Sequence, residues 1–157
     1  MQKLFEHLVS ATCSTLDLRE SFRRIQCILQ ENTSLEGVFL GHHKPDTREL
    51  FHFVHADSRG CEELNQRIPA PPGLHDYLLS EERGEINVIP PSSRPHPISA
   101  SLSSMVPRDH TIYELRVRLD GMHVGMLAFH GRERELGPEV RELLLKIRAL
   151  IALPLVY

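Results

Sequence analysis

The chain has 157 residues, 41% of them apolar and 25% charged, and a net charge of −3 at neutral pH. Those values suit one globular domain with a sizeable core and exclude disordered, collagen-like and coiled-coil classes. The slightly negative balance supplies no global positive field, so no direct contact with nucleic acid is expected of this domain.

Leu4, Phe5, Leu8 and Val9 recur at helical spacing, which predicts a short amphipathic helix from Gln2 to about Cys13. Charges interrupt its apolar pattern, so it does not read as a signal peptide. A second helix runs from Asp17 to Asn32, with Asp17 as the cap, Glu20 reaching back to it, and Phe22, Ile25, Ile28 and Leu29 as one stripe. From Glu36 the period changes to two: Val38, Leu40 and His42 share one face, Phe39, Gly41 and His43 the other. After the turn Lys44 to Thr47, a second strand covers Leu50 to Ala56. Asp57 to Arg67 is polar and runs into the connector Ile68-Pro69-Ala70-Pro71-Pro72-Gly73, where no regular element is expected.

Leu74 to Ser80 predicts a short helix with Leu74, Tyr77 and Leu78 inward, and Ile86 to Ile89 a brief strand stopped by Pro90-Pro91. Ser92 to His110 is irregular and reads as a long loop over the sheet, with a helical turn or two between Ile98 and Val106. Tyr113 to Gly131 is the clearest element. Two alternating runs flank Asp120-Gly121, the residue pair that a type I′ hairpin turn favours. With a two-residue turn, Arg118 is expected opposite His123 and Arg116 opposite Gly125, which puts both arginines on a face with Leu127 and Phe129. Gly137-Pro138-Glu139 starts a final helix whose stripe is Val140, Leu143, Leu144, Ile147 and Leu150 or Ile151. The longest apolar run, Ala149 to Tyr157, spans about half a bilayer and contains Pro154, so no membrane association is expected. Its position at the last residue predicts the front module of a longer protein.

The resulting order is an α+β fold: an antiparallel sheet with the terminal helices on one face and the irregular middle of the chain over the other, leaving a pocket for a small ligand. Residues 115–153 resemble the C-terminal half of a GAF domain. The carrying features are a strand, an Asp-Gly turn, the Gly-x-Leu step supplied by Gly125 and Leu127, and a helix start at Gly137-Pro138-Glu139, where a capping serine is common. The helix from Asp17 leading to Glu36-Gly37-Val38-Phe39-Leu40 is similar to the same family's approach to its first strand. Arg116 departs from the pattern, standing where many members carry proline.

The resemblance implies a single GAF-like (PAS-related) domain over residues 1–157, most similar to the N-terminal sensory module of bacterial sigma-54-dependent transcriptional regulators. It implies a cytoplasmic, non-enzymatic domain that binds an unidentified small molecule, pairs with a second copy through its terminal helices, and controls an attached effector. No Walker A motif is present, so the chain cannot itself drive an ATP-dependent step. The identity of any cofactor is unknown from the sequence.

Candidate ligand-binding residues are Phe39, Gly41 and His43 on the first strand, Ile98, Leu102 and Met105 in the covering loop, and Arg116 and Arg118 on the hairpin. The apolar ones read equally as core, and the arginines as ion-paired or solvated groups; a guanidinium beside a glycine under a loop also suits a carboxylate or phosphate. His42, His43, His52 and His55, with Asp46 or Asp57, raise a metal reading, but no tight ligand spacing supports it and no metal site is assigned. Asp109-His110 beside the serines at 99–104 mimics part of a catalytic triad, without the strained Gly-x-Ser-x-Gly turn, and no catalytic residue is assigned. The three cysteines, Cys13, Cys27 and Cys61, form no CxxC pair and read as free thiols in a reducing cytoplasm. Cys61 is either a redox sensor or a spectator.

Overall fold

Six antiparallel strands form one sheet in the computed structural model of the chain, which describes residues 3, 6, 17–80, 84–91, 96–102, 105–119 and 121–152. The elements are α1 (Leu18–Asn32), β1 (Leu35–Lys44), β2 (Glu49–Asp57), β3 (Gly60–Pro69), α2 (Pro72–Leu79), β4 (Asn87–Ile89), α3 (Pro97–Ser101), β5 (Thr111–Leu119), β6 (Met122–Gly131) and α4 (Pro138–Ala152). The strand order is β3-β2-β1-β6-β5-β4, so β1 and β6 are central. The helix expected over 2–13 lies, apart from Lys3 and Glu6, outside the described residues.

Local chemistry sets the helix ends. The Asp17 carboxylate accepts from the Arg19 and Glu20 amides at 3.0 and 3.5 Å, satisfying donors that the first turn leaves open. Glu20 does not complete the expected reciprocal cap, because Arg23 and Arg24 hold its carboxylate at 2.8 and 3.1 Å. At the other end Thr33 Oγ1 donates to the Leu29 carbonyl at 2.6 Å. Gln26, buried on α1, donates to the Glu36 carbonyl at 3.1 Å and so ties the helix to the start of β1.

The two faces of the sheet differ. On one, Val38, Leu40, Val54, Ala56, Tyr113, Leu115, Val117, Leu127 and Phe129 pack against Phe22, Ile25 and Leu29 of α1 and Leu143, Leu144, Ile147 and Ile151 of α4, as expected for the terminal helices. On the other, Phe39, Leu50, Ile112, Met126 and Ala128 lie under Leu74 and Leu78 of α2, Ile98 of α3, and Leu102 and Val106.

Two expectations are corrected. The polar stretch 57–67, expected without a regular element, and the first two residues of the connector expected at 68–73 hold a strand: β3 pairs with β2 from Asp57↔Gly60 to Glu49↔Pro69. It is an edge strand with most of its residues exposed, so it never shows the alternation that burial of one face imposes. Pro69 is accommodated at its end, and Pro72 at the start of α2. In the hairpin, Leu119↔Met122 and Arg118↔His123 pair as expected, and Gly121 has φ +78°. Between Val117 and Arg118 the register then shifts, leaving Val124 as the extra residue of a bulge. Arg116 therefore faces Met126, not Gly125, and Leu127 and Phe129 lie on the helix face with Leu115 and Val117. Gly125 is needed because a Cβ there would run into the Gly41 carbonyl of β1.

Candidate functional site

Seven histidine, carboxylate and guanidinium side chains are buried among the described residues: His43, His55, His75, His110, His130, Glu114 and Arg116. Strand alternation and their contacts place all seven on the loop-covered side of the sheet or on its cover, and none on the face packed by α1 and α4. Burying such groups is unfavourable unless they are hydrogen-bonded, and here they are joined into networks.

The first network centres on His43 near the end of β1. Its Nδ1 lies 2.8 Å from His123 Nε2, and its Nε2 lies 3.1 Å from His75 Nδ1 on α2. Burial, then the neighbouring His75 and His42 rings, lower the His43 pKa to about 4, so the ring is neutral at physiological pH. Nearby on β5, the Arg116 guanidinium donates to the Ser80 carbonyl at the end of α2, and Glu114 accepts from Asn87 Nδ2 at 3.0 Å. Arg116 thus fastens the sheet to the segment that crosses it, and Glu114 ties β5 to β4.

The second network is linear. Glu36 Oε2 lies 3.1 Å from His110 Nε2; His110 Nδ1 is 2.9 Å from His130 Nδ1; His130 Nε2 is 3.2 Å from His55 Nε2. Beyond His55, Asp57 Oδ2 stands 4.0 Å away, held by Arg59 at 2.7 Å. The His130 ring occupies the space over Gly37, where a Cβ would collide with it. Burial, reinforced by His55 and His110, lowers the His130 pKa to about 3. Burial also lowers His55, against the pull of Asp57. Burial opposes ionisation of Asp57, but the hydrogen bonds from Arg59 outweigh it and leave the carboxyl below its ordinary value.

This network ends at a cleft of about 380 Å³ beside the β2–β3 turn, lined by Arg19, His55, Asp57, Arg59, Cys61 and Met105 among others. Burial pushes the Cys61 thiol up, and its sulfur donates to the Arg19 carbonyl at 3.4 Å, which disfavours the reactive thiolate. An apolar cavity of about 270 Å³ lies between α2 and α3, against Pro71, Gly73, Leu74, Pro97 and Ala100.

The candidate residues from the sequence separate into groups. Phe39, Ile98 and Leu102 are at most 1% exposed and pack together in the loop-side apolar cluster, with Met105 against it and also on the cleft wall. Gly41 adjoins the Phe39 ring. His43 joins the first network and Arg116 reaches the cover, while Arg118 is exposed at the hairpin end. His42 stacks on Phe51 at 4.2 Å, away from His43. Among the described residues no three His, Cys, Asp or Glu are arranged to hold a metal ion. Asp109 is exposed beside Arg132, not aimed at His110, and Ser99 Oγ is buried with no hydrogen-bond partner among the described residues. His130 was not singled out by any motif. Its only sequence signal is its place two residues beyond Ala128 on an alternating strand.

No protein-family profile matches the sequence, and no curated protein matches it. The fold does have counterparts. The GAF domain of an Acinetobacter phosphoenolpyruvate-protein phosphotransferase superposes with a TM-score of 0.66 at 9% identity, over 99% of this chain and 92% of that one. The phycocyanobilin-bound GAF domain of a cyanobacterial phytochrome gives 0.63 at 12% identity, over 97% and 91%. A free methionine-R-sulfoxide reductase from Neisseria meningitidis, in complex with its substrate, gives 0.63 at 14% identity, over 99% and 87%. The chain therefore has the GAF fold, an architecture shared by domains of a phosphotransferase and a phytochrome and by a reductase; at these identities the likeness establishes the fold alone. Among the described residues no helix is long and apolar enough to cross a membrane.

Proposed function

We propose that the chain is a non-enzymatic sensory domain that binds a small molecule on the loop-covered side of its sheet and passes the bound state to an attached effector, a bacterial sigma-54-dependent activator of transcription. The observation that carries this reading is the asymmetry of the sheet: its buried histidines, carboxylate and guanidinium lie on the covered side, while the helix side packs a cluster without any of these. A face kept for packing alone has no use for Glu114 at 0% exposure or Arg116 at 9%. Two of the structural counterparts hold small molecules in this fold. The residues proposed to meet the ligand are Phe39, Gly41, His43, Ile98, Leu102, Met105, Arg116 and Arg118. The domain acts in the cytoplasm as a homodimer through its terminal helices.

Thermal denaturation against panels of metabolites, nucleotides and metal ions tests this. A ligand at 100 times its Kd adds about 2.7 kcal/mol to the folded state. For a domain of this size that raises the midpoint by about 5–10 °C. If the ligand is an anion anchored by Arg116, Arg116→Ala weakens it about tenfold or more, the worth of a charged hydrogen bond; unchanged affinity removes that anchor.

A second reading, a ligand-free dimerisation domain, is favoured by the packing of Phe39, Ile98, Leu102 and Met126 between sheet and cover. It predicts no midpoint shift with any compound.

A further inference from the structure

We propose that helix α2 is a pH-sensitive latch: the imidazole series His75–His43–His123 holds it on the sheet, and proton uptake by that series releases it and opens the loop-covered face. The inference goes beyond the sensory reading, because the signal is the proton and no small molecule is needed.

The latch follows from counting protons. Three rings meet through two contacts, His43 Nδ1 with His123 Nε2 at 2.8 Å and His43 Nε2 with His75 Nδ1 at 3.1 Å. Each contact is a hydrogen bond only while one of its nitrogens carries a proton and the other is bare. Of the six ring nitrogens four at most can then be protonated, and three neutral rings already hold three. The series accepts one further proton, and the next breaks a contact. With the first on His123, half-buried at the rim, His43 Nε2 donates and His75 Nδ1 has to stay bare. His43 and His75 are 2% and 6% exposed, so a charge on either is also cut off from water.

No carboxylate offsets that cost. Among the described residues neither His43 nor His75 forms an ion pair: His43 faces His42, His75 and His123, Lys44 follows it on β1, Asp76 is exposed beside His75, and Arg118 stands opposite His123 in the hairpin. On β5, Glu114 accepts from Asn87 and Arg116 donates to the Ser80 carbonyl. The second network differs, with Glu36 3.1 Å from His110 and Asp57 4.0 Å from His55, so a proton taken up there finds a carboxylate at either end. Acid therefore loosens the cover at α2 before it loosens residues 105–110. The other holds on α2, Leu74, Leu78 and the Arg116 hydrogen bond after its end, do not titrate between neutral pH and pH 5. Release uncovers the apolar sheet residues that Leu74 and Leu78 bury.

Native-state hydrogen exchange of the full chain in low urea, read at each amide as a protection factor, tests this at pH 7.5 and pH 5. A His43 ring that titrates near 6.5 when α2 is away and at about 4 when it is seated makes opening roughly 30-fold more frequent at the lower pH. The expected result is that loss of protection at the amides of residues 75–79, with little dependence on urea, and a smaller loss at Val106 and His110. Unchanged protection, a loss shared equally with Val106 and His110, or α2 amides that exchange only by the global unfolding that exposes Phe22 to Leu29, overturns the latch. His43→Gln keeps a hydrogen-bonding side chain that cannot titrate and should abolish the change; its persistence overturns the role of His43. In case that variant does not fold, 1H–15N correlation spectra of the wild-type rings decide instead: His43 should be neutral at pH 5, and a charged ring there overturns the proposal. None of these readouts uses a ligand, so the latch and the sensory reading fail separately.

Discussion

Lowering the pH to about 5 should strip the domain of much of its stability well before its carboxylates titrate. In the unfolded chain each histidine protonates near pH 6.5, whereas in the folded chain His130 stays neutral down to about 3 and His43 to about 4. Between those values the unfolded state binds protons that the folded state refuses, so stability falls as the pH falls. From about pH 7.5 to pH 5 the unfolded state gains roughly 1.5 pH units of protonation free energy per ring, or about 2 kcal/mol each at 1.36 kcal/mol per unit. The two rings are 1% and 2% exposed, so solvent screening does not reduce this much. The combined loss is about 4 kcal/mol, a large part of the 5–15 kcal/mol typical of a domain.

Urea denaturation at the two pH values measures it. The window is chosen so that Asp57 and Glu20, whose folded-state pKa values are lowered, do not contribute: stability derived from them is lost only as the pH drops below the ordinary carboxylate range. His130→Gln should then recover about half of the pH dependence. Equal stability at both pH values, or a variant with the wild-type loss, would refute the claim that these rings are held neutral.

Two further substitutions probe the two sides of the sheet. Gly37→Ala should cost about 3 kcal/mol in urea denaturation, from overpacking plus the hydrogen bonds His130 loses when its ring is displaced; adding His130→Ala to it should restore part of the loss, and full additivity would show that the two residues do not collide. Phe22→Ala, at 0% exposure between α1 and the sheet, should cost about 3–5 kcal/mol while leaving the pH dependence unchanged.

What could be read from the sequence is what local chemistry dictates. Asp17 can cap the helix that follows it whatever the rest of the chain does, and Asp120-Gly121 between alternating runs pairs Leu119 with Met122. β3 escaped because pattern reading depends on a buried face, and Leu64 and Ile68 of that strand are 49% and 41% exposed. The bulge at Val124 escaped for a related reason: an extra residue exchanges the faces beyond it, and the run Met126 to Phe129 is apolar on both. The histidine chain was out of reach because its links span 20 and 75 residues and join separate elements. Alternation assigns His55 and His130 to a face but says nothing of what covers that face.

The central strands explain why one sheet can carry both an apolar core and a buried polar chain. In β1, Val38 and Leu40 point to the helices while Gly37 and Phe39 point to the cover, so a single strand supplies packing on one side and, at Gly37, room for an imidazole on the other. The hydrophobic cluster between the sheet and helices α1 and α4 is large, and its burial offsets what the neutral histidines cost as acid is added. A cover packed as tightly as the helices would need no such arrangement. The cover meets the sheet through His75, His110 and Ser80 as well as through apolar contacts. Those polar links exchange for water or ligand groups more readily than an apolar core separates, which is the property a sensing face requires.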